Sequence, residues 1–213
     1  MTKILLVRHG ESDANLKDVF AGHYDADLTV RGLAQAEHTA AFIKGTYAVD
    51  AVYSSDLRRA YKTAKPIADA FGLPIIATEG MREIAAGEWE GVPFYGIKDT
   101  HPELFHTFLY DLGNAVCPQG ESVVEMAERV VQTITCIATE NEGKTVVIAT
   151  HATPIRALQC CFSGQPLSYI QQIPWVSNAS VTEIHYENGC FTVEKVSQDA
   201  HLADMRTTLP TDI

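Results

Sequence analysis

Two histidines and two arginines lie in short motifs that bring nucleophilic and cationic groups together. Arg8 and His9 directly follow the first apolar run of the chain, His151 closely follows the apolar run TVVIA, and Arg59 lies in the motif SSDLRRAYKTA. An imidazole can attack phosphorus, and planar guanidinium groups match the oxygens of a phosphoryl group. These residue types indicate phosphoryl transfer with His9 as the nucleophile and His151 as a further hydrogen-bond donor.

A carboxyl group and an amide complete what such a reaction requires. Glu83, in the motif REIAAGEWEG, can protonate an oxygen that leaves phosphorus, and Asn15 is a neutral donor for the phosphoryl oxygens. Gly10 lets the backbone bend away, so that His9 can approach phosphorus closely. Each residue alone is more often structural; Glu83 beside Arg82, for instance, is typical of a surface ion pair. Four motifs that each supply a needed group favour catalysis.

The apolar pattern between these motifs predicts an α/β fold. Strands are predicted at Lys3–Val7, Ala51–Tyr53 and Thr145–Ala149, helices at Leu33–Tyr47, Leu57–Phe71, Glu121–Glu142 and Pro154–Phe162, and a hairpin turn at Glu187–Gly189. Alternating strands and helices predict a three-layer α/β/α domain with a largely parallel sheet and a C-terminal antiparallel hairpin. Three of the four motifs then follow a strand, at the sheet edge where α/β proteins carry their active sites.

A single domain over residues 1–213 accommodates these elements, with one insertion. Residues 92–119 follow neither the strand nor the helix pattern and carry aromatic side chains, His101 and His106. We expect this stretch to form a lid insertion over the sheet. From about Ser197 the sequence is polar, which predicts a surface tail.

Composition excludes several classes of partner. The chain has 27 acidic and 16 basic residues and a formal net charge of −11, so we expect neither nucleic acid nor a membrane surface as a partner. No apolar stretch approaches the length of a membrane span, and the N-terminus is typical of a first strand rather than a signal peptide. Five cysteines without CxxC spacing predict neither a disulfide framework nor a zinc site, and therefore a cytoplasmic protein.

A metal site is the main alternative use of the same side chains, because His9, Glu83 and His151 are all ligand types for zinc. Two arginines directed at the same point would repel a divalent cation. We therefore predict a metal-independent reaction without a cofactor.

The order of these motifs resembles the histidine phosphatase superfamily, in its phosphoglycerate mutase-like branch, over about residues 3–186. The matching segments are RHGE with Asn15 and Gly22, LT-x-x-G-x-x-QA at 28–36, SS-x-L-x-RA-x-x-TA at 54–64, REI-x-x-G-x-WEG at 82–91 and PQGES at 118–122. One position departs from the pattern: the family usually has glycine after its second histidine, whereas Ala152 follows His151 here. We expect this small side chain to be tolerated.

The resemblance implies a phosphohistidine on His9 and protonation of the leaving group by Glu83. The residues that it places around the phosphate are Arg8, Asn15, Arg59 and His151. Within the second motif, the arginine of the family corresponds to Arg59 and not to Arg58. Gly22 and His23 are further candidates for contact with the substrate.

Three classes of function remain open: a phosphatase, a phosphoglycerate mutase, and a phosphate-binding module without catalysis. The intact set of reactive groups disfavours the binding module. The mutases of the family carry an arginine pair in the stretch that corresponds to residues 84–128, where this chain has one cation, Lys98. The aromatic residues of that stretch are Phe94, Tyr95, Phe105, Phe108 and Tyr110.

An aromatic lid favours a neutral or partly apolar leaving group, because an unpaired anion beneath it would be costly. Lys17 and Arg156 are the remaining candidates for binding a second anion. We therefore predict a phosphatase that acts on a small phosphorylated metabolite, with the mutase as the alternative. The oligomeric state stays open, a homodimer included.

Overall fold

A mixed six-stranded sheet forms the centre of the protein in the computed structural model, which describes residues 1–207. The strands are β1 (Thr2–Arg8), β2 (Ala51–Ser55), β3 (Ile75–Thr78), β4 (Thr145–Thr150), β5 (Val181–Glu187) and β6 (Cys190–Gln198). Their order is β3-β2-β4-β1-β5-β6; the neighbours from β3 to β1 run parallel, whereas β5 is antiparallel to both β1 and β6. The predicted parallel sheet with a C-terminal antiparallel hairpin is confirmed.

Helices cover both faces of this sheet. They are α1 (Asp13–Leu16), α2 (Val30–Thr46), α3 (Arg58–Phe71), α4 (Ile97–Thr100), α5 (Pro102–Tyr110), α6 (Val123–Glu140) and α7 (Ala152–Phe162). Leu5 and Val7 pack with α2 and α3 on one face, and Ile4 and Leu6 pack with α6 and α7 on the other. Successive strand residues point to opposite faces, so the unbroken apolar run of β1 fills both cores. The predicted three-layer class is confirmed.

None of the helices within residues 1–207 is long and apolar enough to cross a membrane.

The segment predicted as a lid, residues 92–119, contains α4, α5 and short 3-10 turns. Phe105, Phe108 and Leu112 are buried in the same apolar cluster as α6 and α7. The segment is therefore anchored in the core while its Phe94 and Phe108 reach the sheet edge described below.

The edge strand β3 is absent from the sequence prediction. It has four residues, pairs only with β2 among the described strands, and its middle residues Ile76 and Ala77 are exposed. A strand this short, with one edge unpaired and little burial, shows no alternation of apolar and polar residues from which it could be predicted. Its place in the sheet matters, because the loop that carries Glu83 follows it.

The prediction of a surface tail from Ser197 is wrong for the described residues. Ser197 and Gln198 end β6, and the 3-10 segment Ala200–Met205 packs on α2. Leu202 is fully buried and the His201 ring stacks on Phe42. The local sequence pattern could not predict these contacts, because α2 lies far away in the sequence. Residues 208–213, the rest of the predicted tail, lie outside the described part of the chain.

Candidate active site

The four motifs meet at the carboxyl edge of the parallel strands. Arg8 ends β1, His9 follows it, and His151 lies between β4 and α7. Arg59 lies in the first turn of α3, just after β2. A cleft of about 140 Å³ opens here. Its polar lining includes Arg8, His9, Asn15, Arg59, Glu83 and Thr153.

His9 presents one ring nitrogen to the cleft. Its Nδ1 donates to the backbone oxygen of Gly10 at 2.7 Å, which leaves the lone pair on Nε2. The side chain of Asn178 donates to the backbone oxygen of His9 at 3.0 Å and fixes this part of the chain. Burial, and then the charges of Arg59 and Arg8, hold the pKa of His9 well below its ordinary value of 6.5. The imidazole of His9 is therefore neutral at physiological pH.

The structure gives a different reason for a glycine at position 10 from the one expected from the sequence. A Cβ at this position would lie 2.5 Å from the backbone oxygen of Gly32, at the start of α2. The glycine is therefore required because two backbone segments approach closely.

The two guanidinium groups are held by backbone carbonyls. Arg59 is fully buried and donates from Nη1 to Tyr24 at 2.9 Å and from Nη2 to Gly22 at 2.8 Å. Arg8 donates from Nη1 to Val176 at 2.5 Å. The Nε atoms of both arginines are buried, and no group within residues 1–207 accepts a hydrogen bond from them. Burial lowers the pKa of Arg8 to about 10, so it stays cationic.

His151 lies beside the nucleophile and is fully buried. Its ring centroid is 5.2 Å from that of His9, and its Nε2 lies 2.9 Å from the hydroxyl of Ser55. The Nδ1 atom has no partner among the described residues. Burial, and then the charge of Arg59, hold the pKa of His151 well below 6.5. Arg8, Arg59 and His151 thus each keep one buried nitrogen without a partner among the described residues.

Glu83 also lines the cleft, where backbone amides orient its carboxylate. Its Oε1 accepts from the N–H of Ile84 at 2.9 Å, and its Oε2 accepts from the N–H of Thr153 in α7 at 3.3 Å. The backbone oxygen of Glu83 accepts from His23 at 2.8 Å and from Arg129 at 3.1 Å. The loop is thus fixed both at its side chain and at its backbone.

Arg129 in α6 and Glu121, just before this helix, hold the loop in place. Arg129 donates to the backbone oxygens of Gly80 and Arg82 at 3.0 and 3.2 Å, and it pairs with Glu121 at 2.8 Å. Glu121 in turn accepts from the N–H of Ala85 at 2.9 Å. The sequence prediction missed Arg129; the only signal was its place two turns after the PQGES motif.

The structure separates the other predicted residues. The Asn15 Oδ1 accepts from the backbone and hydroxyl of Ser12 and from Asn178, so its amide nitrogen is the group available to a ligand. Gly22 lines the cleft with a positive φ of 49°, and a Cβ there would lie 2.5 Å from that of Ala86. His23 does not line the cleft, because its ring is bound to the loop of Glu83.

Two of the five aromatic residues expected in the lid line the cleft, Phe94 and Phe108, together with Phe20 and Trp175. Tyr95 and Tyr110 are exposed, and Phe105 is buried elsewhere in the core. The prediction of a five-membered aromatic lid is therefore correct only in part.

The prediction that Arg156 could bind a second anion is wrong. Its guanidinium is buried, donates to the backbone oxygens of Ile170 and Ile173 at 2.9 Å each, and stacks 4.1 Å from the ring centroid of Trp175. Lys17 is exposed and lies 3.4 Å from Asp13.

Within residues 1–207, no cluster of three or more histidine, cysteine, aspartate or glutamate side chains is arranged to hold a metal ion.

Burial of two neutral histidines predicts a pH-dependent stability. Below pH 6.5 the unfolded chain binds protons at His9 and His151 that the folded chain excludes, because both folded pKa values are lowered. We therefore expect the free energy of unfolding to fall as the pH drops below about 6.5, by up to ~1.4 kcal/mol per pH unit for each histidine. Urea unfolding at several pH values tests this. The His9→Gln variant should show a shallower slope, whereas an unchanged slope would contradict the prediction.

The chain is similar to known proteins both in sequence and in structure. Residues 4–199 match the model of the histidine phosphatase superfamily, branch 1. Phosphoserine phosphatase 1 of Hydrogenobacter thermophilus is 32% identical over 204 residues, 96% of each chain. The solved structure of YhfR from Bacillus stearothermophilus has a TM-score of 0.90 at 29% identity, covering 95% of this chain and 100% of that one. A phosphoserine phosphatase mutant of Entamoeba histolytica, solved in complex with phosphoserine, has a TM-score of 0.82 at 29% identity, with the same coverage.

Proposed function

Because this chain belongs to the histidine phosphatase superfamily, we propose that it hydrolyses a small phosphomonoester through a phosphohistidine on His9. The observation that carries the proposal is the cleft itself. A neutral, oriented imidazole lies among the side chains of Arg8, Arg59 and His151, each of which keeps a buried nitrogen without a partner within residues 1–207. Such preorganised donors stabilise the charge that develops on phosphoryl oxygens.

In the first half of the reaction, Nε2 of His9 attacks phosphorus in line with the ester oxygen. The N–P bond forms, the P–O ester bond breaks, and the departing oxygen takes a proton from Glu83 to leave as an alcohol. Arg8 and Arg59 hold the equatorial oxygens, and His151 donates a further hydrogen bond. These proposed roles rest on the positions of Arg8, Arg59 and Glu83 in the lining of the cleft and on the contact of the His151 ring with that of His9.

In the second half, Glu83 is a carboxylate and can accept a proton from water. The oxygen of that water attacks phosphorus, the N–P bond breaks, and inorganic phosphate leaves with His9 again neutral. The loop contacts from Arg129 and His23 keep the carboxylate of Glu83 in one place for both steps.

The lining of the cleft favours a phosphatase over a mutase. A mutase must hold a second anionic group of its substrate while the phosphoryl group is on the enzyme. Arg156 faces backbone carbonyls, and Lys98 does not line the cleft. Phe20, Phe94, Phe108 and Trp175 form much of the wall instead. Leaving an unpaired carboxylate against such a surface is costly.

The comparisons support phosphoserine as a candidate substrate. The phosphoserine phosphatase mutant of Entamoeba histolytica is solved with this ester, and the relative from Hydrogenobacter thermophilus is a phosphoserine phosphatase. Serine leaves as a zwitterion without net charge, whereas glycerate leaves as an anion. We therefore place O-phosphoserine first among the candidate substrates.

A paired assay on one preparation tests the proposal. Phosphate release is followed for O-phosphoserine, 3-phosphoglycerate and p-nitrophenyl phosphate, with EDTA present and no added metal. Interconversion of 2- and 3-phosphoglycerate is followed in parallel with 2,3-bisphosphoglycerate supplied. We expect metal-free phosphate release that exceeds interconversion. Mutase turnover well above phosphate release would overturn the proposal, and activity that needs restored metal would overturn its mechanism.

A further inference from the structure

Ser55 lies at the carboxyl end of β2 and is fully buried against the second histidine of the cleft. Its Oγ is 2.9 Å from Nε2 of His151. The two residues are 96 positions apart in the chain, and the contact exists because β2 and β4 are neighbours in the sheet. The direction of this hydrogen bond decides which ring nitrogen of His151 carries the proton.

The hydroxyl of Ser55 can donate one hydrogen bond and accept two. It accepts a long one, 3.4 Å, from the N–H of Leu57. Among the described residues, the only acceptor in reach of its own proton is Nε2 of His151. A buried hydroxyl proton without an acceptor is unfavourable, so the serine donates and the histidine nitrogen accepts.

We infer that Ser55 is a positioning residue, which holds His151 as the tautomer with its proton on Nδ1 and so turns this nitrogen into a donor for the phosphoryl group. The Nδ1 atom is buried and has no partner within residues 1–207. The opposite tautomer would place a lone pair on Nδ1, which would repel the oxygens of a phosphate ester. The inference rests on the proposed phosphatase function.

The two histidines of the cleft then use the same tautomer for opposite tasks. Nδ1 of His9 donates its proton in a hydrogen bond to the backbone oxygen of Gly10, which leaves Nε2 as the nucleophile. His151 has Nε2 occupied by Ser55 and keeps Nδ1–H as a donor. Because Nε2 of His151 is occupied, this histidine cannot replace His9 as the attacking group.

Nitrogen NMR of the free protein, labelled at histidine, measures the tautomer directly and without any substrate. We expect His151 to show a protonated Nδ1 and an unprotonated Nε2, and we expect Ser55→Ala to shift both signals towards a mixture of tautomers. Ser55→Thr retains the hydroxyl and should keep the wild-type pattern. Ser54→Ala is the matched control, since this neighbouring serine is equally buried but donates to the backbone oxygen of Ser55.

Kinetics on the same variants separate a role through His151 from a general loss of structure. Ser55→Ala should lower kcat about tenfold or more, and by less than the roughly 10²–10³-fold expected for loss of one charge-stabilising donor. In the background of His151→Gln, Ser55→Ala should cost no more than about twofold, because its effect passes through the missing ring. Ser54→Ala should leave kcat near the wild-type value.

A protonated Nε2 in the wild-type protein would overturn the inference, and this measurement decides even if Ser55→Ala does not fold. An unchanged tautomer in folded Ser55→Ala, or an equal loss of kcat in Ser54→Ala, would also overturn it. A protein with the expected tautomers but no phosphatase activity would refute the proposed function and leave the hydrogen bond from Ser55 established.

Discussion

His9→Ala should abolish turnover together with the acid-labile phosphoenzyme, with a fall in rate on the order of 10⁴–10⁶. The reason is geometric. His9 lines the cleft and keeps the lone pair on its Nε2, while Nε2 of His151 is bound to Ser55. The measurement combines steady-state phosphate release with acid- and alkali-quenched samples of enzyme incubated with a radiolabelled ester. The label should be stable in alkali and absent from the variant.

The exposed His38 on α2 supplies the matched control, because it lies outside the cleft. His38→Ala should keep both turnover and labelling. A phosphoenzyme that persists in His9→Ala with the same acid lability would show that another side chain is attacked. That outcome would contradict the assignment of His9.

Much of the cleft could be predicted from the sequence because of one property of parallel sheets. Residues that follow different parallel strands meet at the same edge, whatever their separation in the chain. Arg8 and His9 after β1, Arg59 after β2 and His151 after β4 obey this rule. Glu83 obeys it too, although the strand before it, β3, was not recognised. The chemistry of the Glu83 side chain was therefore enough to predict that it belongs to the site, although the strand before it was too short to detect.

The residues that support the cleft could not be predicted in the same way. Ser55, Arg129 and Asn178 form hydrogen bonds to ring or backbone atoms of residues far away in the sequence. In a sequence, serine, arginine and asparagine at such positions look like ordinary surface residues. Every residue has a backbone carbonyl, so the sequence does not show which carbonyl accepts a hydrogen bond from a side chain. The same limit explains the error for Arg156, whose partners are the carbonyls of Ile170 and Ile173. Cation type alone does not reveal whether a guanidinium is already satisfied.

Within residues 1–207 no cation forms an ion pair with Glu83, in contrast to several other acidic residues in this part of the protein. Glu121 pairs with Arg129, Asp56 with Arg82, and Glu11 with Arg31, whereas both oxygens of Glu83 accept from backbone amides. These amides fix the direction of the carboxyl group without the full charge of a salt bridge. Its position in the wall of the same cleft as Arg8, His9 and Arg59 suits a group that gives a proton to the leaving oxygen.

Glu83→Gln should therefore separate substrates by their leaving groups. Glutamine has nearly the same shape, but its single carbonyl oxygen can accept from only one of Ile84 and Thr153, and it has no proton of suitable acidity to give. An alkyl oxygen such as that of serine cannot leave without a proton, so the rate on O-phosphoserine should fall by roughly 10²–10⁴. p-Nitrophenolate is stable as an anion, so the rate on p-nitrophenyl phosphate should fall by no more than about tenfold. The ratio of the two losses is the measurement, since damage to the fold would lower both rates alike.

Glu88→Gln is the control, because this exposed carboxylate of the same motif contacts His101 at 3.2 Å and not the cleft. Equal losses on both esters in Glu83→Gln would show that this residue is structural or serves only the water step, and the proton would then have to come from another group.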